Sequence, residues 1–173
     1  MAEVSGEGET GPWLIRPIGT IHTPFTQQVG APIQGGLDGG HRGTVEVFEE
    51  FAEGLSDIEG FSHLTLLYLF HRSEGWQPKV RPFLDDAERG VFSTRSPRRP
   101  NAIGLTVVRL IERRGSTLEV EDVDMIDGTP LVDIKPHVPD FDCRPQAAIG
   151  WLTGRVRDSR RWRADGRFTE PQG

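Results

Sequence analysis

Three arginines lie close together in one short stretch of the chain, residues 90–105, which reads GVFSTRSPRRPNAIGL. Arg95, Arg98 and Arg99 lie there beside Pro97 and Pro100. Because proline fixes the backbone φ angle and lacks an amide donor, the stretch is predicted to be a stiff loop that follows a short strand. Guanidinium groups are planar, always charged and able to bind phosphate or carboxylate through two parallel hydrogen bonds. The loop therefore predicts a binding site for an anionic, nucleotide-like ligand.

Three further clusters of polar or glycine residues could contribute chemistry, at residues 35–38, 71–72 and 124–135. His71 follows the most apolar predicted strand, so it is expected at the rim of the core, where a structural role explains a histidine as well as a catalytic one does. Asp133 and Lys135 would point to one face of an extended chain, and a surface ion pair explains them as well as catalysis does. All of these clusters lie at predicted strand ends or loops, which predicts that they surround one rim.

Several other kinds of chemistry are not expected. The five histidines are scattered, Cys143 is the only cysteine and there is no HExxH motif, so no metal site is predicted. The sequence has neither a GxSxG nucleophile motif nor a P-loop. A literal GxGxxG occurs at residues 6–11. No predicted strand precedes it and no helix follows, so it is not interpreted as a dinucleotide-binding loop.

The elements that must position these clusters are predicted to be short strands, because 21 glycines and 13 prolines favour strands and turns over long helices. Strands are predicted at residues 13–22, 44–48, 63–70, 90–94, 103–111, 117–123 and 131–134. Turns are predicted at Gly115 and at Asp127-Gly128, long loops at 23–40 and 136–145, and short helices at 49–55 and 146–152. Because strands do not alternate with helices, the fold class is predicted to be mainly all-β, as an antiparallel barrel or a sandwich.

Length and charge constrain the organisation of the chain. The 173 residues suffice for one medium-sized domain. Residues 1–11 are acidic and glycine-rich and are predicted to be disordered, residues 12–143 to form the folded domain, and residues 144–173 an arginine-rich extension. No apolar run approaches the roughly 18 residues of a membrane helix and no secretory signal is found, so a cytoplasmic protein without a membrane partner is expected.

The distribution of charge bears on nucleic acids. A net charge of −6 argues against nonspecific coating of nucleic acid, and no DNA partner is expected. Arginines of the extension, between Arg155 and Arg167, form a local basic patch that could bind RNA phosphates. A general preference of the genome for arginine codons explains that patch equally well.

Three long segments, in this order, resemble the TsaA-like (TrmO) family. They are GFSHLTLLYLFHR at residues 60–72, GVFSTRSPRRPNAIGL at 90–105 and DGTPLVDIKPHVP at 127–139, and PIGTIHTPF at 17–25 is also similar. The resemblance covers roughly residues 14–142. It implies an S-adenosylmethionine-dependent methyltransferase built on a small antiparallel β-barrel with short helices and long loops, rather than on a Rossmann sheet. It also implies methylation of N6 of threonylcarbamoyladenosine at position 37 of tRNA, by a homodimer with the cofactor near the subunit interface.

Carried over residue by residue, the resemblance implies a set of cofactor contacts: Gly35, Gly36, Leu37, His71, Arg72, Arg95, Val107, Val123, Asp124, Met125 and Ile126. Substrate contacts are expected from Arg98, Arg99, Asn101 and Lys135, because the threonyl carboxylate and RNA phosphates are anionic. A base near N6 could receive its proton, and the candidates are His71, Asp127 and Asp133.

Two other functions remain open at this point. Longer members of the family carry an additional C-terminal domain, and the net acidity of this chain would also suit a methyltransferase for a small anionic molecule. The second alternative is a non-catalytic module that binds S-adenosylmethionine and regulates a partner.

Overall fold

The computed structural model describes residues 14–36, 40–156, 163–165 and 168. Its centre is a closed antiparallel barrel of six strands, which are β1 Gly19–His22, β2 Arg42–Val47, β3 His63–Leu69, β6 Ile103–Arg114, β7 Thr117–Glu121 and β8 Thr129–Pro136. Around the barrel they follow the order β1-β2-β7-β6-β3-β8, and β8 pairs with β1 to close it. The prediction of a mainly all-β antiparallel barrel is confirmed.

Alternation of side chains explains why these segments form a barrel. In β3, Leu64, Leu66 and Tyr68 are buried, whereas the residues between them are only partly covered. Since successive side chains of a strand point to opposite faces, every second residue fills the barrel interior. Leu118 and Val120 of β7 do the same from the opposite wall. Each such leucine contributes roughly 1.5–3 kcal/mol through burial.

Most of the predicted strands are present, although their first and last residues differ from the prediction. The β6–β7 hairpin turns at Gly115, whose φ of +62° is in the left-handed region that favours glycine. β8 is longer than the predicted segment because it pairs on both sides, with β1 and with β3. The helix predicted at 49–55 is a 3-10 helix, Glu49–Leu55, and a second one follows at Ile58–Gly60. β1 is shorter than predicted, and Leu14 is exposed to solvent before it.

The strand predicted at residues 90–94 is wrong. The segment contains a 3-10 helix, Val91–Ser93, preceded by β5, Arg89–Gly90, which pairs only with β4, Lys79–Val80. The Ser93 hydroxyl donates to the Gly90 carbonyl and the Thr94 hydroxyl to the Val91 carbonyl, each at 2.8 Å. Side-chain bonds of this kind compete with strand pairing, and they close the turn here.

Outside the barrel, the described parts of residues 137–168 contain little regular structure. They hold one α-helical turn, Pro139–Asp142, within the predicted 136–145 loop, and a 3-10 helix, Gly150–Leu152, which is shorter than the helix predicted there. Ala164 exchanges backbone hydrogen bonds with Gly30 and Ala31, and Phe168 packs with Val80 and Val91. In the described ranges, no helix has both the length and the apolar character needed to cross a membrane.

Candidate active site

A cleft of about 460 Å³ opens at one end of the barrel. Its walls come from segments that are far apart in sequence: the 27–34 loop, the end of β3, the arginine-rich loop, the start of β6, and the turn before β8. Ala164 and Phe168 add a wall from the C-terminal extension. The residues of the predicted clusters that line it are His71, Arg72, Arg95, Arg99, Asp124, Met125 and Ile126. These residues of the predicted clusters therefore lie around one rim of the barrel, as expected from the sequence.

Asp124 lies at the inner end of the cleft and is held by three donors. The Thr106 hydroxyl donates to its Oδ1 at 2.7 Å, and the Gly35 amide donates to its Oδ2 at 2.7 Å. The Tyr68 hydroxyl lies 3.5 Å from Oδ1 and 3.3 Å from the Thr106 hydroxyl. These contacts connect the barrel interior to the glycine loop at residue 35.

The electrostatics of this network follow from its burial. Burial raises the pKa of the Asp124 carboxyl, although the hydrogen bonds from Thr106 and Gly35 and the charge of Arg95 act in the opposite direction. Burial and the neighbouring Asp124 charge also raise the pKa of the Tyr68 hydroxyl, so Tyr68 stays neutral. Ionisation of Asp124 therefore costs free energy, and a cationic partner would reduce that cost.

Two glycines allow the backbone to approach this network closely. A Cβ atom added to Gly35 would lie 2.2 Å from the Asp122 carbonyl oxygen, and one added to Gly104 would lie 2.2 Å from Tyr68 Cε2. Neither position can hold a larger residue without displacement of backbone or ring. Gly36 has a φ of +73°, in the left-handed region that favours glycine. The predicted contact at Leu37 lies outside the described residues.

The arginines of the loop differ in their surroundings. Arg95 is exposed at the cleft and donates to Gln34 Oε1 at 2.8 Å. Arg72 lines the cleft and donates to the Thr26 carbonyl at 2.8 Å. Arg99 also lines the cleft. Arg98 is only 6% exposed and donates to the Phe168 carbonyl at 3.3 Å. Arg98 therefore connects the loop to the C-terminal extension, and the cleft does not support its predicted contact with substrate.

His71 lies at the rim beside the turn that precedes β8. Its Nδ1 is 3.5 Å from the Thr129 hydroxyl, which itself donates to the Ile126 carbonyl at 2.6 Å. Burial and the charge of Arg72 lower the pKa of His71. The imidazole is therefore neutral at physiological pH, and a neutral imidazole can accept a proton.

The other two candidate bases lie away from the cleft. Asp127 accepts a hydrogen bond from the Thr23 amide at 3.1 Å and lies 3.3 Å from His22 Nδ1, and these bonds lower the pKa of its carboxyl. Asp133 forms an ion pair with Lys135 at 2.6 Å on the partly exposed side of β8. The surface ion pair that the sequence allowed is thus present, and neither aspartate lines the cleft.

Six other predicted contacts are also absent from the lining, namely Gly35, Gly36, Asn101, Val107, Val123 and Lys135. Asn101 is exposed before β6, Val107 is on the outer side of β6, and the Val123 side chain is in the barrel core.

Sequence reasoning missed Tyr68 and Thr106, which hold Asp124. In the sequence, these two residues stand out only because they carry hydroxyl groups within otherwise apolar strands. In the described ranges, no group of three or more potential ligands is arranged to hold a metal ion.

The fold and the cleft define a class, namely a small antiparallel barrel with a cleft at one rim and no Rossmann sheet. The family described as tRNA-methyltransferase O N-terminal domain matches residues 20–143. The chain belongs to this family, and the suggested resemblance is confirmed.

Individual relatives agree with this assignment. A probable S-adenosyl-L-methionine-binding protein of Pyrococcus abyssi is 53% identical over 88% of this chain and 83% of its own length. The tRNA (adenine(37)-N6)-methyltransferase of Escherichia coli is 37% identical over 78% of this chain, which spans 61% of that protein. The corresponding mouse enzyme is 40% identical, and the match spans only 33% of its length.

A solved structure shows the same fold. The crystal structure of TrmO from Pseudomonas aeruginosa superposes with a TM-score of 0.69 at 37% identity, covering 82% of this chain and 63% of that chain. The chain thus spans less than two thirds of the solved enzyme and of the named methyltransferases.

Proposed function

We propose that this chain uses S-adenosylmethionine to methylate N6 of threonylcarbamoyladenosine at position 37 of tRNA. Relatives named tRNA (adenine(37)-N6)-methyltransferase support the reaction, and relatives named S-adenosyl-L-methionine-binding protein support the cofactor. The observation that carries the proposal is the convergence of His71 with Arg72, Arg95, and residues 124–126 at one cleft. We propose residues 12–143 as the catalytic domain, residues 144–173 as an extension that adds one wall, and the cytoplasm as the place of action.

The residues of the cleft fit the proposed cofactor. A volume of about 460 Å³ is within the roughly 300–1,000 Å³ typical of small-molecule sites. Phe70, Met125 and Ile126 provide apolar walls for an adenine ring. Burial disfavours the ionised form of Asp124, so a cationic group of the cofactor, such as its ammonium or sulfonium, would stabilise the carboxylate. Arg95 would bind the carboxylate of the methionine moiety.

When bound, S-adenosylmethionine supplies a methyl group whose bond to sulfur breaks as its bond to N6 forms, and N6 releases its proton. Alignment of the two reactants and exclusion of water are the main contributions needed from the protein. The cleft would hold the cofactor beside His71 and Arg99. His71 is the proposed proton acceptor, since it lines the cleft and is neutral. Arg99 is the proposed partner of the threonyl carboxylate.

We also propose that the chain acts as a homodimer. The outer faces of β3 and β6 place Leu67 opposite Leu105 and Leu69 opposite Ile103. Leu105 is 48% exposed and Ile103 is 37% exposed, and both also line the cleft. A second copy covering this face would remove apolar surface from water and close the side of the cleft. Sedimentation equilibrium should give the mass of two chains, and Leu105→Glu should give the mass of one; a monomeric wild type would contradict the dimer.

One experiment tests the reaction directly. The protein is incubated with methyl-labelled S-adenosylmethionine and with tRNA from cells that lack this methylation, and the nucleosides are separated. Methylated threonylcarbamoyladenosine is the expected product. Cofactor binding without labelled tRNA nucleoside would contradict the reaction and favour the regulatory alternative.

Arg95→Ala provides the matched residue test. It should abolish turnover and weaken cofactor binding while the chain still unfolds in one cooperative transition, because Arg95 is exposed and its hydrogen bond is to Gln34 of the neighbouring loop. Arg42→Ala is the control, since Arg42 is an exposed arginine that pairs with Glu119 and does not line the cleft. Equal activity of the two variants would remove Arg95 from the site.

A further inference from the structure

The most exposed aromatic side chain next to the cleft is Phe92, in the middle of the arginine-rich stretch. It is 75% exposed although its neighbour Val91 is fully buried. The 3-10 helix that carries it is fixed by the two side-chain bonds at Ser93 and Thr94. Trp151 Nε1 also donates to the Ser93 carbonyl at 2.8 Å, so the extension supports the same turn. Phe92 is therefore an apolar ring held in a defined direction and exposed to water.

Arg99 covers one side of this ring. Its guanidinium carbon lies 5.6 Å from the centre of the Phe92 ring, which is within the distance of a cation–π contact. Nη1 donates to the carbonyls of Val91 at 3.2 Å and Thr94 at 2.9 Å. These bonds fix the guanidinium plane and use the two hydrogens of Nη1, while the donors on Nη2 and Nε are directed elsewhere. Ring and guanidinium form a single preorganised unit.

The position of this unit suggests its ligand. Arg99 and Thr94 line the cleft, so the ring lies beside the opening through which a target base would enter. Aromatic rings and guanidinium planes are the groups on which unpaired nucleotides stack, and nearby arginines neutralise the backbone phosphates. We propose that Phe92 and Arg99 form a stacking platform for the unpaired RNA nucleotide next to the target adenosine. This inference rests on the proposed function, because it assumes that a tRNA loop enters the cleft.

The platform differs from the outer face of β3 and β6 in its chemistry. That face is a patch of aliphatic side chains, which suits a second copy of the chain. Phe92 is a single ring with the Arg99 guanidinium against it and Arg95 on the same loop, which suits a polyanion with flat bases. A subunit contact at Phe92 is the main competing explanation, and it predicts that removal of the ring changes the oligomeric state.

The test measures binding of an anticodon stem-loop RNA carrying threonylcarbamoyladenosine, by fluorescence anisotropy with the full chain. Phe92→Ala should weaken this binding roughly 5- to 150-fold, the range that corresponds to loss of one base–aromatic stack. Phe92→Trp should retain most of the affinity, because it keeps a stacking surface. Affinity for S-adenosylmethionine should be the same in both variants.

Phe141→Ala is the matched control, since Phe141 is 71% exposed and, among the described residues, neither lines the cleft nor stacks on a residue that does, whereas Phe92 stacks on the cleft residue Arg99. The inference is overturned if Phe92→Ala and Phe141→Ala bind the RNA equally, or if Phe92→Ala turns a dimer into a monomer. It is also overturned if a fully base-paired duplex binds as tightly as the loop. If the wild type binds the loop in a Phe92-dependent manner but transfers no methyl group, the platform stands and the proposed reaction fails.

Discussion

Thr106→Val tests the network around Asp124 with a nearly isosteric change. Thr106 is 1% exposed, and its hydroxyl donates to Asp124 Oδ1 at 2.7 Å. Valine keeps the shape of the side chain but cannot donate, so Asp124 Oδ1 loses this hydrogen bond. A hydrogen bond to a charged group contributes roughly 1.5–3 kcal/mol. For a domain of this size that loss corresponds to a decrease in Tm of roughly 3–10 °C.

The loss of stability caused by Thr106→Val should increase as the pH rises. Burial raises the pKa of Asp124, so ionisation of this carboxyl costs folded-state stability as the pH rises above its usual range. Thr106 opposes that rise, and its removal therefore raises the pKa further. While Asp124 is protonated in both proteins, the variant loses only a neutral hydrogen bond. Once it is ionised in both, the variant also loses stabilisation of the charge.

The assay is thermal unfolding of both proteins, followed by circular dichroism between about pH 5 and about pH 9. The difference in Tm between wild type and Thr106→Val should widen as the pH rises. Thr65→Val is the control, because Thr65 lies on the outer side of β3 and makes no recorded side-chain hydrogen bond in the described part of the chain. A difference in Tm that is constant or narrows with rising pH would refute the reasoning about Asp124.

Two further predictions concern packing and the extension. Gly104→Ala should lower stability by roughly 1–3 kcal/mol in chemical denaturation, because the added methyl group meets the Tyr68 ring, whereas Gly54→Ala, with nothing within 4 Å, should change it little. Equal stability of the two variants would contradict the contact. The Arg89 hydrogen bond lowers the pKa of Asp85 to about 2, and Asp85 also pairs with Arg155 at 2.6 Å. The stabilisation that ionised Asp85 gives the folded state is complete above the usual pKa of an aspartate and is lost as the pH falls towards about 2. Asp85→Asn removes the ion pair with Arg155, so it should speed amide hydrogen exchange of residues 150–156 at neutral pH. Unchanged exchange would argue against this anchor.

Some features of the molecule were determined by the sequence alone. Alternation in TVEVF predicted β2, the apolar run HLTLLYLF with its β-branched and aromatic residues predicted β3, and Gly115 predicted the β6–β7 hairpin, because these signals are local. The motifs at 71–72, 95–99 and 124–126 predicted segments that contribute to the cleft, since they resemble a family with long and specific motifs.

Tertiary structure decided how those residues are used. Arg95 and Arg98 are three residues apart in one loop, yet one is exposed at the cleft and the other is buried against the Phe168 carbonyl. Asp124 and Asp133 are equally polar in sequence, yet burial raises the pKa of the first while a surface lysine pairs with the second. The roles of Tyr68 and Thr106 arise because barrel closure brings β3 and β6 against the segment before β8. Burial and non-local neighbours set the charge of a side chain, and neither can be inferred from local sequence.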